Sequence, residues 1–446
     1  MNQRKLLSLL LFTALAIAIS WLGTFADIDL AFAERMPRVD KIAATDFAQL
    51  PAPADGIRVF EQRLAQNPDD AVSLTILGQL HLRQARESGD FASYERAEAI
   101  FDQALALLPR YHEAGVGLAS VYFAQHRFSE AFTLAETIYE QDSERFDALS
   151  IVADAQLALG QYDAAAESYI ALQGQVDSPS LLARLAQQAD LHGQPDEALA
   201  LLEEAASETW LIGLSADDMA WYLIRLGDFH FKIGDLAEAE THYAAALSLT
   251  PQNHAALAKY GELLAAQGRY AEAIEALRQA SSLVPQTEYL ALLGDVYQVS
   301  GQPDLAEQQY QTVETIAELA VLNGTAYDRQ LALFFANHDR QVEQALSLAL
   351  AELEMRQDVY GYDALAWAYY KNGLLAEAEQ VMVQALQLGT RDASLHYHAG
   401  MIAAAQGKKE VAQTHLAEAL SINPHFDLLQ APIAQTTLEQ LKAETP

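Results

Sequence analysis

The sequence predicts an all-α chain, an array of about ten helix-turn-helix units stacked side by side. Two observations predict it. "AWYLIRLGDFHFKIGDLAEAETHYAAALSLTPQN", residues 220–253, is followed at once by "HAALAKYGELLAAQGRYAEAIEALRQASSLVPQT", residues 254–287. Gly227 and Gly261, Gly234 and Gly268, Ala239 and Ala273, Ala246 and Ala280, Pro251 and Pro285 then stand 34 residues apart. Apolar residues make up 51% of the 446, enough to give such an array a continuous core.

Charge narrows the partners. The 61 acidic residues against 27 basic give a net charge of −34, spread along the chain. Nucleic acid is repelled by such a surface, so no nucleic-acid partner is expected. A basic protein or peptide is attracted, although the same charge also serves as a solvated surface. With no cysteine, the chain has no disulfide, thiolate metal site or catalytic thiol.

Residues 1–33 read as an export segment. Arg4 and Lys5 precede an uncharged run from Leu6 to Ala26. Residues 6–25, at about 1.5 Å per residue, reach across a bilayer core of about 30 Å, so a retained membrane tether is one reading. Ala31-Phe32-Ala33 has the small-x-small form of a cleavage site and supports the other, a signal peptide removed near Ala33. Both place the rest of the chain outside the cytoplasm, periplasmic or otherwise extracytoplasmic. Residues 34–55, with Pro37, Pro51 and Pro53, read as a linker.

Residues 56–68 follow as a leading helix, and the repeats then run at about 71–111, 112–145, 146–178, 179–212, 220–253, 254–287, 287–320, 326–358, 359–392 and 393–426. Each recurring residue type has a mechanical reason. Glycine inside a helix costs about 1 kcal/mol against alanine, so Gly227 and Gly261 mark close approach of a second helix. Tyr243 and Leu277, at the twenty-fourth position, fill the space beside them. Gly234 and Gly268 suit a left-handed helix end. Pro251 and Pro285 stop the second helix. Insertions at 83–100, 213–219 and 321–325 break the period and divide the chain into blocks 56–212, 213–320 and 321–426. Ser215 and Asp218 are spaced as a capping box. Residues 427–446 form a capping helix and tail that cover the last apolar face.

Glycine at the eighth position, alanine at the twentieth and proline at the thirty-second resemble the tetratricopeptide repeat family. That resemblance implies a right-handed α-solenoid whose first helices line a concave groove. It also implies that the second, fifth, ninth and twelfth positions of each unit contact a partner peptide or helix. Here those positions supply Trp221, Ile224, Asp228 and Phe231 from repeat five, Phe334 from repeat eight, and Tyr360, Asp363, Trp367 and Tyr370 from repeat nine. An aromatic cluster on an open face suits an interface, and packing between first helices would explain the same residues. Lys232 and Lys371 stand isolated, so the family's lysine-asparagine carboxylate clamp is missing.

No phosphate loop, paired-histidine zinc motif, dinucleotide fingerprint or serine elbow occurs, so no catalysis, cofactor or metal is expected. His396 and His398, two apart, fall on different sides of a helix, and His81 and His230 fall at core positions. The expected function is an exported, non-enzymatic scaffold or adaptor that binds a partner protein through its groove. The alternatives are a membrane-anchored assembly factor for an envelope or membrane complex, and a sugar-binding or enzymatic protein that stacks sugars on Trp221, Trp367 and Tyr370.

Overall fold

A computed structural model describes residues 53–88, 91–322 and 329–443. The export segment, nearly all of the linker, Tyr327 and the Asn323-Gly324-Thr325 triplet lie outside the described residues. Among those described there are helices and turns and no strand. A leading helix, α1 (Pro53–Gln66), comes first. Four pairs follow: α2 (Ala71–Ser88) with α3 (Phe91–Leu107), α4 (His112–Ala124) with α5 (Phe128–Gln141), α6 (Phe146–Ala158) with α7 (Tyr162–Leu172), and α8 (Pro179–Leu191) with α9 (Pro195–Ile212). Repeats five to seven are α10 (Ala216–Lys232) with α11 (Leu236–Leu249), α12 (His254–Ala266) with α13 (Tyr270–Leu283), and α14 (Thr287–Val299) with α15 (Pro303–Leu322). Repeats eight to ten are α16 (Arg329–Asn337) with α17 (Val342–Met355), α18 (Val359–Lys371) with α19 (Leu375–Ala385), and α20 (Ala393–Ala405) with α21 (Lys409–Ile422), and α22 (Gln430–Ala443) closes the array.

The glycine rule of the sequence is met in atoms. A Cβ on Gly227 would lie 2.5 Å from the Tyr243 ring, and one on Gly261 would lie 2.7 Å from Leu277. Both side chains are buried on the second helix, so glycine on the first helix is what lets the pair close. Gly234 ends α10 at φ 83°, as a left-handed cap requires. Repeat eight lacks that glycine, and Asp339 and Gln341 take the left-handed conformation at φ 52° and 42° instead. Ser215 caps α10 by accepting from the Asp218 amide at 3.1 Å.

First and second helices form two layers. Each first helix packs on its own second helix, and most pack also on the second helix of the unit before and on neighbouring first helices; the second helices have no comparable contact with one another. In repeat nine the first helix buries Val359, Gly361 and every residue from Asp363 to Ala368, whereas the second buries only Ala378, Met382 and Ala385.

The superhelix then returns on itself. The Gln357 amide donates to the Ala158 carbonyl at 2.9 Å, Thr390 Oγ1 donates to the Leu191 carbonyl at 2.5 Å, and Asn423 Nδ2 donates to the Phe231 carbonyl at 2.8 Å. Each acceptor is one of the last carbonyls of a first helix, in repeats three, four and five, groups that the helix itself leaves unsatisfied. Each donor follows the second helix of repeats eight, nine and ten. Glycine permits the approach: a Cβ on Gly160 would lie 2.5 Å from the Gln357 carbonyl oxygen, and one on Gly193 would lie 2.3 Å from that of Gly389. The corresponding Gly301, in repeat seven, has nothing within 4 Å.

This contrast gives a test. Gly301→Ala should lose about 1–2 kcal/mol, the cost of a left-handed alanine. Gly193→Ala carries that cost and a backbone collision besides, and should lose a further 1–3 kcal/mol or so. Urea unfolding of the two variants measures the difference; equal losses would mean that the turns do not touch in solution.

Candidate functional site

The ninth position of the unit explains how one site differs from the rest. In repeats three, five and seven an aspartate there accepts from a tyrosine at the twenty-fourth position: Tyr169 to Asp154 at 2.9 Å, Tyr243 to Asp228 at 2.9 Å and Tyr310 to Asp295 at 2.7 Å. Repeat nine has neither partner: Trp367 stands at the ninth position and Met382 at the twenty-fourth. Its acid, Asp363, lies at the fifth position and meets His398 of repeat ten, whose Nδ1 lies 2.8 and 3.0 Å from the two carboxylate oxygens. Both residues are buried, at 5% and 4% exposure.

This dyad lines a cavity of about 320 Å³ between the first helices of repeats eight, nine and ten. Arg329 stands on one wall. Its guanidinium is engaged through Nε and Nη2, with Nη2 at 2.8 Å from Glu352 Oε1 and 3.1 Å from Asp358 Oδ1. Asp358 also caps α18 through the Gly361 amide, and although burial opposes it, Arg329 and Arg356 hold its carboxyl below the usual range. Glu352 is pushed the other way by burial, and its Oε2 has no hydrogen-bond partner. Asp392 caps α20 through the Ser394 and Leu395 amides and lies 3.8 Å from Lys232. Tyr397 donates to Gln430 at 2.5 Å, and Gln430 donates in turn to the Asn337 carbonyl at 3.1 Å.

A second cavity, about 520 Å³, lies between the first helices of repeats five to seven and the chain's own segment 420–435. Phe426 and Asp427 border both cavities. Asp427 caps α22 through the Leu429 and Gln430 amides, and burial followed by the nearby Asp295 charge raises its pKa. Close by, His338 has acceptors at both ring nitrogens: the Phe334 carbonyl at 2.7 Å and Asp295 at 2.7 Å. Two acceptors are satisfied together only by the imidazolium. Burial opposes that charge, but the Asp295 hydrogen bond and charge prevail and raise the pKa.

The groove residues expected from the sequence are dispersed by this arrangement. Tyr360 and Asp363 line the first cavity, and Phe231 lines the second. Ile224, Phe334 and Trp367 are buried, at 7%, 5% and 1% exposure, and offer no surface to a partner. Trp367 is stacked between Tyr370 at 4.7 Å and His398 at 4.2 Å, and its Nε1 donates to Asn337 at 2.8 Å. Asp228 is taken by Tyr243, and Tyr370 is half-buried on Trp367. Only Trp221 is exposed, at 48%. The open aromatic cluster is therefore corrected: these rings pack between first helices because the unit stacking leaves no gap there. Neither lysine is isolated, since Lys232 pairs with Asp190 and Lys371 with Asp339, each at 2.8 Å. His396 faces His415 while His398 faces Asp363, on different sides of α20 as their spacing requires. His81 and His230 are buried.

Two outcomes follow. Trp367→Ala should cost about 3–5 kcal/mol of unfolding free energy, the loss of a fully buried indole, and denaturant unfolding reads it directly. His338, with a raised folded pKa, contributes stability that is fully present below the ordinary histidine value of about 6.5 and is lost as pH rises through the folded value. Melting temperature measured across neutral to alkaline pH should fall less in His338→Phe than in the native chain; parallel curves would remove this role.

Family models for the tetratricopeptide repeat match residues 82–146 and 364–425 in one version and 230–296 in another. No curated protein matches the chain in sequence. Similar solved structures include the APC/C hetero-tetramer Cut9-Hcn1, at 15% identity over 86% of this chain and 92% of that one, with a TM-score of 0.34. Yeast Tom70 is similar at 14% identity over 84% and 96%, with a TM-score of 0.33. A tetratricopeptide repeat protein from Parabacteroides merdae is similar at 20% identity over 59% and 98%, with a TM-score of 0.34. These likenesses concern the fold alone. The matched segments fall on the helix pairs described above, at both ends and the middle of the array, and the chain belongs to the tetratricopeptide repeat family.

Proposed function

We propose that this protein-interaction scaffold is exported and holds a partner protein on its inner face, with no chemistry of its own. The observation that carries the reading is the inner layer of first helices, which keeps two acid-lined cavities beside the chain's own segment 420–435. Repeat arrays bind extended segments on such a layer, and the net charge of −34 suits a basic one. The His398 dyad favours holding over catalysis: Asp363 orients the ring, but no hydroxyl is hydrogen-bonded to Nε2 to be activated. Export rests on Arg4, Lys5 and the apolar residues 6–25. Retention of that segment would make the protein a tethered assembly factor.

Two measurements test this. Sequencing of the mature N-terminus from soluble and membrane fractions should give a start near Glu34 outside the cytoplasm, or an intact residue 6–25 segment in the membrane. Full-length protein recovered from the cytosol would end the export reading. A photo-crosslinking residue at Phe231 or Tyr360 should capture a defined partner, while one at Val383, on the outer layer and 61% exposed, should not. Capture from Val383 alone would move the interface to the outer face.

A further inference from the structure

After repeat ten the chain turns inward at Asn423 and runs to Gln430 across the inner face, touching the first helices of repeats five, eight and ten. Asn423, 1% exposed, donates from Nδ2 to the Phe231 carbonyl at 2.8 Å. The Phe426 ring lies 5.4 Å from that of Tyr397. Gln430, 4% exposed, accepts from the Tyr397 hydroxyl at 2.5 Å and donates to the Asn337 carbonyl at 3.1 Å. These helices belong to the layer that the scaffold reading gives to a partner. An amide at each end and a ring between them is a pattern that another extended segment can supply.

Between its two buried ends the segment is loosely held. Pro424 and His425 are exposed, and Phe426 to Leu429 are half-buried. Phe426 and Asp427 border both the cavity of about 320 Å³ and that of about 520 Å³. A segment so placed lacks the dense contacts of a packed interior and opens at lower free energy than the helices around it. Charge acts in the same direction. Burial first, and the nearby Asp295 charge second, raise the Asp427 pKa against the pull of its two amides and of His338. A competing segment without that carboxylate meets no such repulsion.

We propose that segment 423–430 is an autoinhibitory strap: it occupies the inner face in the resting chain, and an extended partner segment binds by displacing it and taking over the Phe231 and Asn337 carbonyls and the Tyr397 ring. This rests on the scaffold reading above and adds to it the regulation of that site. Apparent affinity is then lowered by the fraction of chains whose strap is closed, so loosening the strap raises affinity with no change in the inner face itself.

The probe is a capped, fluorescein-labelled peptide of the strap's own sequence, residues 421–433, read by anisotropy against the full chain. Binding is expected, and about tenfold or more tighter in Asn423→Ala/Gln430→Ala, which removes the strap's hydrogen bonds to repeats five, eight and ten. A scrambled peptide should not bind. Hydrogen exchange of the native chain gives a readout that needs no substitution: saturating peptide should speed exchange of amides 425–430 and leave those of mid α21 unchanged. No binding to either chain, equal affinity for both, equal binding of the scrambled peptide, or exchange at 425–430 that saturating peptide leaves unchanged overturns the proposal. Partner capture from Phe231 with the strap unmoved would overturn this inference alone and leave the scaffold reading in place.

Discussion

The carbonyls at the ends of three first helices are answered by residues almost two hundred positions further along, and the rest of the structure depends on that closure. A solenoid in general has only nearest-neighbour contacts, so its stability sums unit by unit. Here repeats three to five also bear repeats eight to ten. The geometry leaves no room for a side chain at the contact, which is why Gly160 and Gly193 stand there. One turn of the superhelix is thereby set against the next, and the inner face is reduced from an open trough to cavities.

Bringing two turns of so acidic a chain together requires local neutralisation. Lys232 lies between Asp190 of one turn and Asp392 of the next. The Arg356 guanidinium sits 5.5 Å over the Phe128 ring, while Arg329 anchors Asp358 and Glu352 just behind. Buried ion clusters of this kind add little net stability, because desolvation offsets most of the attraction. Their effect is on geometry: they hold the junction between repeats eight and nine where it meets repeats two and three, and so fix one wall of the first cavity.

Much of the candidate site was legible, and part of it was not. The spacing predicted the stacked helix pairs, and in repeats five and six the close glycines with Tyr243 and Leu277 beside them. It also contained a clue left unused: repeat nine has Trp367 at the position of Asp154, Asp228 and Asp295, and Met382 in place of the tyrosine. That unit lacks the aspartate–tyrosine pair, and Asp363, at the fifth position, meets His398 of the next unit. By contrast, Trp367 and Phe334 look like groove residues in register and are core residues in space. Register states which way a side chain leaves its helix, not how near the neighbouring helix lies.

By itself, then, the sequence determined the unit: a helix pair of 34 residues, closed by glycine, capped by glycine and stacked on its neighbours. Those features depend on contacts within one repeat or between adjacent ones, and the 34-residue period encodes them directly. Only the tertiary structure decided that repeats eight to ten lie against repeats three to five, that segment 420–435 covers part of the inner face, and that Asp363, His398, Asp392 and Asp427 border one cavity. The physical reason is accumulation. The path of a superhelix is a sum of small rotations between units, and a difference of a few degrees in each, invisible in any single repeat, decides whether two turns meet.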